Sequence, residues 1–206
     1  MKAKHLLAIA AGIAAAATAC AQDSRDSKKI MDRVKEIVGE RCSLCHGNKG
    51  ESASDTFPRL AAQHPAYIVK QLRDFRDGRR KGTMMNDMAN GLTEEEIAGL
   101  AVYFSTKKPV SRKTLDTEFA NVGAYIFHKG NPYSGVAACA SCHGPEGYGT
   151  IQLPRLAGQN SAYLETQLGD FNKRERTNDN AIMHAIASKM TTFEIKAVAA
   201  YVGGLE

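Results

Sequence analysis

Tryptophan is absent from this 206-residue chain, and phenylalanine and tyrosine together supply only 7 % of it. A small domain so poor in aromatic rings often needs a staple, such as a metal, a disulfide or a cofactor. No long apolar run occurs beyond residue 19, so the body of the chain lacks the roughly 20 apolar residues of a membrane span and reads as soluble. No segment alternates apolar and polar residues in the manner of a half-buried strand, which points to an all-α fold. Strong charge is also missing. Residues 22–110 hold 16 Lys/Arg against 13 Asp/Glu, residues 111–206 hold 9 against 9, and the whole carries +5. That balance excludes the clearly basic face of a nucleic-acid binder. The densest basic run, Arg79-Arg80-Lys81, reads as a solvated loop or as a docking patch for an acidic partner.

The apolar run that does exist is N-terminal. Lys2 and Lys4 precede Leu6 to Ala19, the pattern of an export signal, read here as residues 1–21. Two endings compete. Ala19-Cys20-Ala21 suits ordinary signal peptidase. Ala17-Thr18-Ala19-Cys20 resembles a lipobox in which Cys20 carries lipid, with Ala where Leu is usual. Both place the mature chain outside the cytoplasm, and membrane attachment through Cys20 stays open.

The rest of the chain is written twice. Cys42-Ser43-Leu44-Cys45-His46-Gly47 returns as Cys139-Ala140-Ser141-Cys142-His143-Gly144, and Pro58-Arg59-Leu60-Ala61 as Pro154-Arg155-Leu156-Ala157. Tyr67, Gln71, Leu72 and Phe75 match Tyr163, Gln167, Leu168 and Phe171, while Ile97 and Tyr103 match Ile195 and Tyr201. A period near 97 residues is too long for a solenoid repeat and denotes a duplicated domain: residues 22–108, a polar linker 109–117, and residues 118–206. Each copy predicts a first helix (Ile30 to Arg41; Phe119 to Phe127), the cysteine motif, a Gly-rich loop, a second helix (Pro65 to Arg76; Ser161 to Asn172) and a last helix. Pro65 suits a first helical turn and Ser161 a cap. Thr93 with Glu96 opens the last helix of the first copy as a capping box, and that of the second opens at Thr191-Thr192-Phe193-Glu194.

C-x-x-C-H is the attachment signature of c-type haem. Cysteines three positions apart can each bond one vinyl group of the porphyrin, and the next residue, His, meets the iron from one face. Cys42, Cys45 and His46 in one copy, and Cys139, Cys142 and His143 in the other, therefore predict two covalently bound haem c groups. A zinc site would need four ligands close together, whereas these pairs lie 97 residues apart, each with its own His. A thioredoxin-like dithiol needs a strand–helix context that is missing, and two disulfides would leave the matched histidines without a role.

A second axial ligand is needed on each iron, and a Met thioether suits it. Met85 and Met183 occupy matched positions, seven residues before Leu92 and Met190. Met84 and Met88 crowd the first of these, so their claim stays open, although their counterparts Ile182 and Ile186 cannot ligate. His184 is matched by Asn86, Met31 reads as core, His64 as surface, and His128 lies before the second motif. Metal-bound His usually donates its other N–H to a carbonyl or carboxylate. Pro58, twelve residues after His46, and Pro154, eleven after His143, lie on loops whose backbone suits that task, with a simple turn proline as the other reading.

Both C-x-x-C-H motifs, the P-R-L-A-x-Q segments (Pro58 to Gln63, Pro154 to Gln159), the Tyr–Gln-Leu–Phe helices and the late methionines resemble the cytochrome c4 family. That resemblance covers nearly the whole mature chain. It implies two class I cytochrome c domains in pseudo-two-fold contact. It also implies His–Met ligation by His46 with Met85 and His143 with Met183, and proline carbonyls on the proximal histidines. The implied function is periplasmic electron carriage, from a donor such as a quinol-oxidising complex toward an acceptor such as a terminal oxidase, with no catalytic residue. An electron-transfer subunit of a dehydrogenase complex and a dihaem peroxidase are the alternatives.

Overall fold

The computed structural model describes residues 25–110 and 117–206; the signal segment, Cys20 and most of the linker lie outside them. Helix α1 spans 25–37 and runs on through a π-helical turn, Val38–Cys42, into α2, Ser43–His46. Then follow α3 (Pro65–Arg76), α4 (Met85–Ala89) and α5 (Glu94–Ser105). The second half repeats the order as α6 (Thr117–Lys129), α7 (Ala140–His143), α8 (Ser161–Lys173), α9 (Ile182–Ala187) and α10 (Thr192–Gly203). The only strand-type pairing among the described residues is one isolated bridge between Asn131 and Val136, so the fold is all-α, with one order of helices repeated in tandem. No helix among those residues is long and apolar enough to cross a membrane.

Each half has its own core. Val34, Ile37 and Val38 pack with Ile68, Phe75, Ile97, Leu100 and Phe104 in the first. Ile126, Phe127, Ile195, Val198 and Val202 form the second. First and last helices cross closely in both. A Cβ on Gly123 would lie 2.0 Å from the Ala197 carbonyl oxygen, so only glycine allows α6 to approach α10 this far. In the first half the small residue sits on the other partner, Gly99 of α5, against Val34.

The helix ends follow the sequence in most places. Both capping boxes form, Thr93 with Glu96 and Thr191 with Glu194, and Pro65 opens α3. Ser161 is not the cap it resembles. Asn160 holds that position, and the Ser161 hydroxyl donates instead to the Ala199 carbonyl on α10 (3.0 Å). The short helices α4 and α9, which carry Met85 and Met183, are additional to the elements expected.

Candidate functional site

In each half the cysteine motif ends in a one-turn helix closed by a glycine, and the loop beyond folds back over the histidine. Gly50 makes that return: its carbonyl accepts from the backbone N–H groups of Leu60 (2.9 Å) and Ala61 (3.1 Å). Its φ of +75° and the Ala61 nitrogen, 2.6 Å from where a Cβ would stand, leave room only for glycine. Gly147 plays the same part for Leu156 and Ala157. These folds bring the proline carbonyls onto the histidines. The His46 Nδ1–H donates to Pro58 O at 2.9 Å, and the His143 Nδ1–H donates to Pro154 O at 3.2 Å. Nδ1 therefore carries the proton, and Nε2 keeps its lone pair. No hydrogen bond reaches either Nε2 among the described residues. Both rings are buried, and burial holds their pKa below the usual histidine value despite the proline hydrogen bond. The neutral imidazole, the form that binds a metal, is thus the resting form.

Cys42, Cys45 and Cys139 are half-buried, Cys142 is exposed, and none is in a disulfide. Burial pushes the thiols of Cys42 and Cys139 up to about 11. Thiols kept neutral by burial are poor redox nucleophiles and are compatible with thioethers. No group of three His, Cys, Asp or Glu side chains that could hold a metal ion occurs among the described residues. The zinc reading has no structural support there, while a porphyrin iron asks for only one His per motif. The donor set fits covalent haem.

The methionines divide by exposure. Met84 is 53 % exposed and Met88 40 %, whereas Met85 is half-buried and packs against the first core alongside Cys42. Asn86 pins this segment: its side chain accepts from Gly82 N (2.8 Å) and donates to Phe75 O and Arg80 O. In the second half Asp179 accepts from the backbone of Met183 (2.7 Å). The His184 Nδ1–H donates to Phe171 O (2.9 Å). Asn86 and His184 are counterparts and hold counterpart carbonyls, so His184 anchors the loop. His128 lies exposed, hydrogen-bonded to the Tyr201 hydroxyl.

Between the halves lies a polar seam that sequence reasoning missed. The Arg80 guanidinium donates to Gln71 Oε1 of its own half (2.6 Å), and to the Tyr163 hydroxyl (3.1 Å) and Gln167 Oε1 of the other. Arg176 repeats this in mirror image, to Gln167 (2.7 Å), Tyr67 (3.0 Å) and Gln71 (3.3 Å). Each arginine lies over the phenylalanine of its own half, Phe75 or Phe171. Arg80 is only 7 % exposed, so the basic run divides: Arg79 pairs with Asp74, Lys81 faces solvent, and Arg80 is neither a solvated loop residue nor a docking contact. His64, at the seam's solvent-exposed edge, also reaches across, its Nε2–H donating to Tyr148 O (2.7 Å). The signal was present in the repeat. Arg80 has an arginine 96 residues on, while Arg79 and Lys81 meet Glu175 and Thr177.

Comparison with known proteins agrees with this geometry. A family model described as cytochrome c matches residues 115–206. Another, described as cytochrome c oxidase, cbb3-type, subunit III, matches residues 30–104. Cytochrome c4 of Thiocapsa roseopersicina is 41 % identical over 168 residues, 80 % of this chain and 86 % of the relative. A thiosulfate dehydrogenase electron acceptor of Stutzerimonas stutzeri (strain A1501) is 34 % identical over 197 residues, 93 % of this chain and 91 % of the relative. The crystal structure of reduced recombinant cytochrome c4 from Pseudomonas stutzeri superposes with a TM-score of 0.80 at 34 % identity, covering 85 % of this chain and 98 % of that one. With two cytochrome c domains, two covalently bound haem c groups and electron transfer rather than catalysis as its work, the chain belongs to the cytochrome c4 family.

Proposed function

We propose that this dihaem carrier works in the periplasm, with residues 1–21 as export signal, 22–108 and 118–206 as its domains and 109–117 as linker. Cys42 and Cys45 bind one haem and Cys139 and Cys142 the other; His46 with Met85, and His143 with Met183, are the axial pairs. When bound, each haem supplies a one-electron ferrous–ferric couple. The chain's residues hold it: the proline carbonyls orient the histidines and keep Nε2 free, while Asn86, Asp179 and His184 hold the methionine segments in place. The observation that carries the reading is the paired geometry, in which each buried histidine donates Nδ1–H to its own proline carbonyl beside an unpaired cysteine couple. Its electrons pass from a quinol-oxidising complex toward a terminal oxidase. A second reading, acceptor of electrons from a thiosulfate dehydrogenase, is favoured by the relative of that name, which aligns over 93 % of this chain. Intact mass of the exported protein tests attachment and the cleavage site: two haem additions on a chain shortened near residue 21 are expected. Met85→Leu should halve the weak red band of ferric His–Met haem, while Met84→Leu and Met88→Leu leave it whole. Reduction by purified thiosulfate dehydrogenase or by a quinol-oxidising complex separates the two donors.

A further inference from the structure

The proline carbonyl that each histidine uses belongs to a peptide group whose other end is held by the opposite domain. Pro58 C=O and Arg59 N–H are one peptide unit. Its oxygen accepts from His46 Nδ1–H (2.9 Å), and its N–H donates to Gln159 Oε1 (2.7 Å). Gln159 Nε2 returns a bond to Arg59 O (3.0 Å). The mirror image is complete. Pro154 O accepts from His143 (3.2 Å), Arg155 N–H donates to Gln63 Oε1 (2.9 Å), and Gln63 Nε2 donates to Arg155 O (3.0 Å). Both glutamines are buried.

We propose that Gln159 and Gln63 are positioning residues that tune the haem iron of the opposite domain through this shared peptide. The proposal rests on His46 and His143 being the proximal ligands. Hydrogen bonds in series polarise one another, by about 10–30 % per bond. An acceptor on Arg59 N–H makes Pro58 O more negative, which draws the His46 proton and makes its Nε2 a stronger donor. A stronger donor favours the ferric state, so the bond from Gln159 lowers the potential of the first domain's haem, and Gln63 does the same for the second. The distances are shorter along the His46 chain, so the effect of Gln159 exceeds that of Gln63.

The test is an NMR-monitored redox titration of the holoprotein, with haem signals assigned to each half. Gln159→Met and Gln63→Met keep side-chain length and remove the amide. Direct partners of a metal-bound histidine change metal affinity or activity by about 10- to 100-fold; one bond further out, about threefold in the ferrous–ferric equilibrium is expected. At 59 mV per decade for one electron that is a rise of about 30 mV. Gln159→Met should raise the first domain's haem and leave the second, and Gln63→Met should do the reverse. Tyr163→Phe, which loosens the seam without touching either peptide, should move neither selectively. A variant that shifts the haem of its own domain, both haems equally, or neither would overturn the proposal. Should Gln159→Met fail to yield holoprotein, Gln63→Met carries the same test. The ring protons of both histidines in the ferrous wild type must show the upfield shifts of haem ligands; their absence would defeat the ligation reading instead.

Discussion

The seam between the domains should be energetically cooperative, and Arg80 with Tyr163 gives the sharpest test. Arg80→Met removes three hydrogen bonds, to Gln71, Tyr163 and Gln167. Hydrogen bonds from a charged donor contribute about 1.5–3 kcal/mol each. Opposing this, a buried guanidinium is costly to desolvate, and Arg80 shares the Gln71 and Gln167 oxygens with a second cation, Arg176. Gln71 and Gln167 keep Arg176 as a donor, so the acceptor most affected is the Tyr163 hydroxyl. A net loss of about 2–4 kcal/mol is expected for Arg80→Met, near the range for breaking a buried charged contact.

A double-mutant cycle isolates the pair. Arg80→Met and Tyr163→Phe, singly and together, are unfolded as holoproteins in guanidinium chloride, where a shifted midpoint at constant slope reports stability. Coupling of about 1–2 kcal/mol is expected, well above the 0.5 kcal/mol that marks neighbours. The mirror pair Arg176–Tyr67, at 3.0 Å, should couple by a similar amount. Arg80 and Gln63 both lie on the seam without a shared partner and should be additive. Coupling below 0.5 kcal/mol for Arg80–Tyr163, or equal coupling in all three cycles, would refute the network as drawn.

Further outcomes follow from single contacts. Gly123→Ala drives a methyl into the Ala197 carbonyl and should cost about 1–3 kcal/mol by the usual penalty for overpacking. Gly169→Ala, with open space at its Cβ, should stabilise α8 by about 0.5–1 kcal/mol in the same unfolding assay. Thr191→Ala removes one arm of a capping box and should lose about 1 kcal/mol. Asp74 is buried, which alone would raise its pKa, but hydrogen bonds from Lys70, Arg79 and Asn178 hold it below the usual 3.8. A carboxylate with a depressed folded pKa stabilises above its unfolded value and loses that contribution as pH falls through the folded one. Unfolding midpoints of wild type and Asp74→Asn should therefore differ at neutral pH and converge in acid below 3.8; a gap that persists there would refute the linkage.

Much of the fold was legible because duplication doubles every signal. The two C-x-x-C-H motifs, the capping boxes and the matched methionines each recur at an offset of 97 or 98 residues, and local chemistry such as Thr93 capping Glu96 needs no tertiary partner. The seam was harder to read. An amide side chain announces no chemistry, so Gln63 and Gln159 read only as the ends of a repeated P-R-L-A-x-Q segment. Charge density says nothing of burial, so Arg80 was hidden by Arg79 and Lys81 beside it. His64 and Asn160 mislead in another way. They differ in type, yet both reach across, His64 to the Tyr148 carbonyl and Asn160 to those of Ser54 and Phe57.

The seam's composition suits the orientation it holds. A pseudo-two-fold contact uses the same surface of both domains, so each favourable pair occurs twice. Built from aliphatic side chains, such a surface would hold the domains together but allow them to slide. Built from guanidinium, amide and hydroxyl groups with nearly every bond directional, it fixes their relative orientation to within hydrogen-bond tolerance. Electron transfer falls steeply with separation, so a relay between two haems gains more from fixed geometry than from tight adhesion. Some exposed apolar side chains lie within the cysteine motif or next to the methionines, Leu44, 80 % exposed, and Met84 in the first half and Ile182 in the second. Directional contacts repeated on one duplicated surface thus hold the two domains in register.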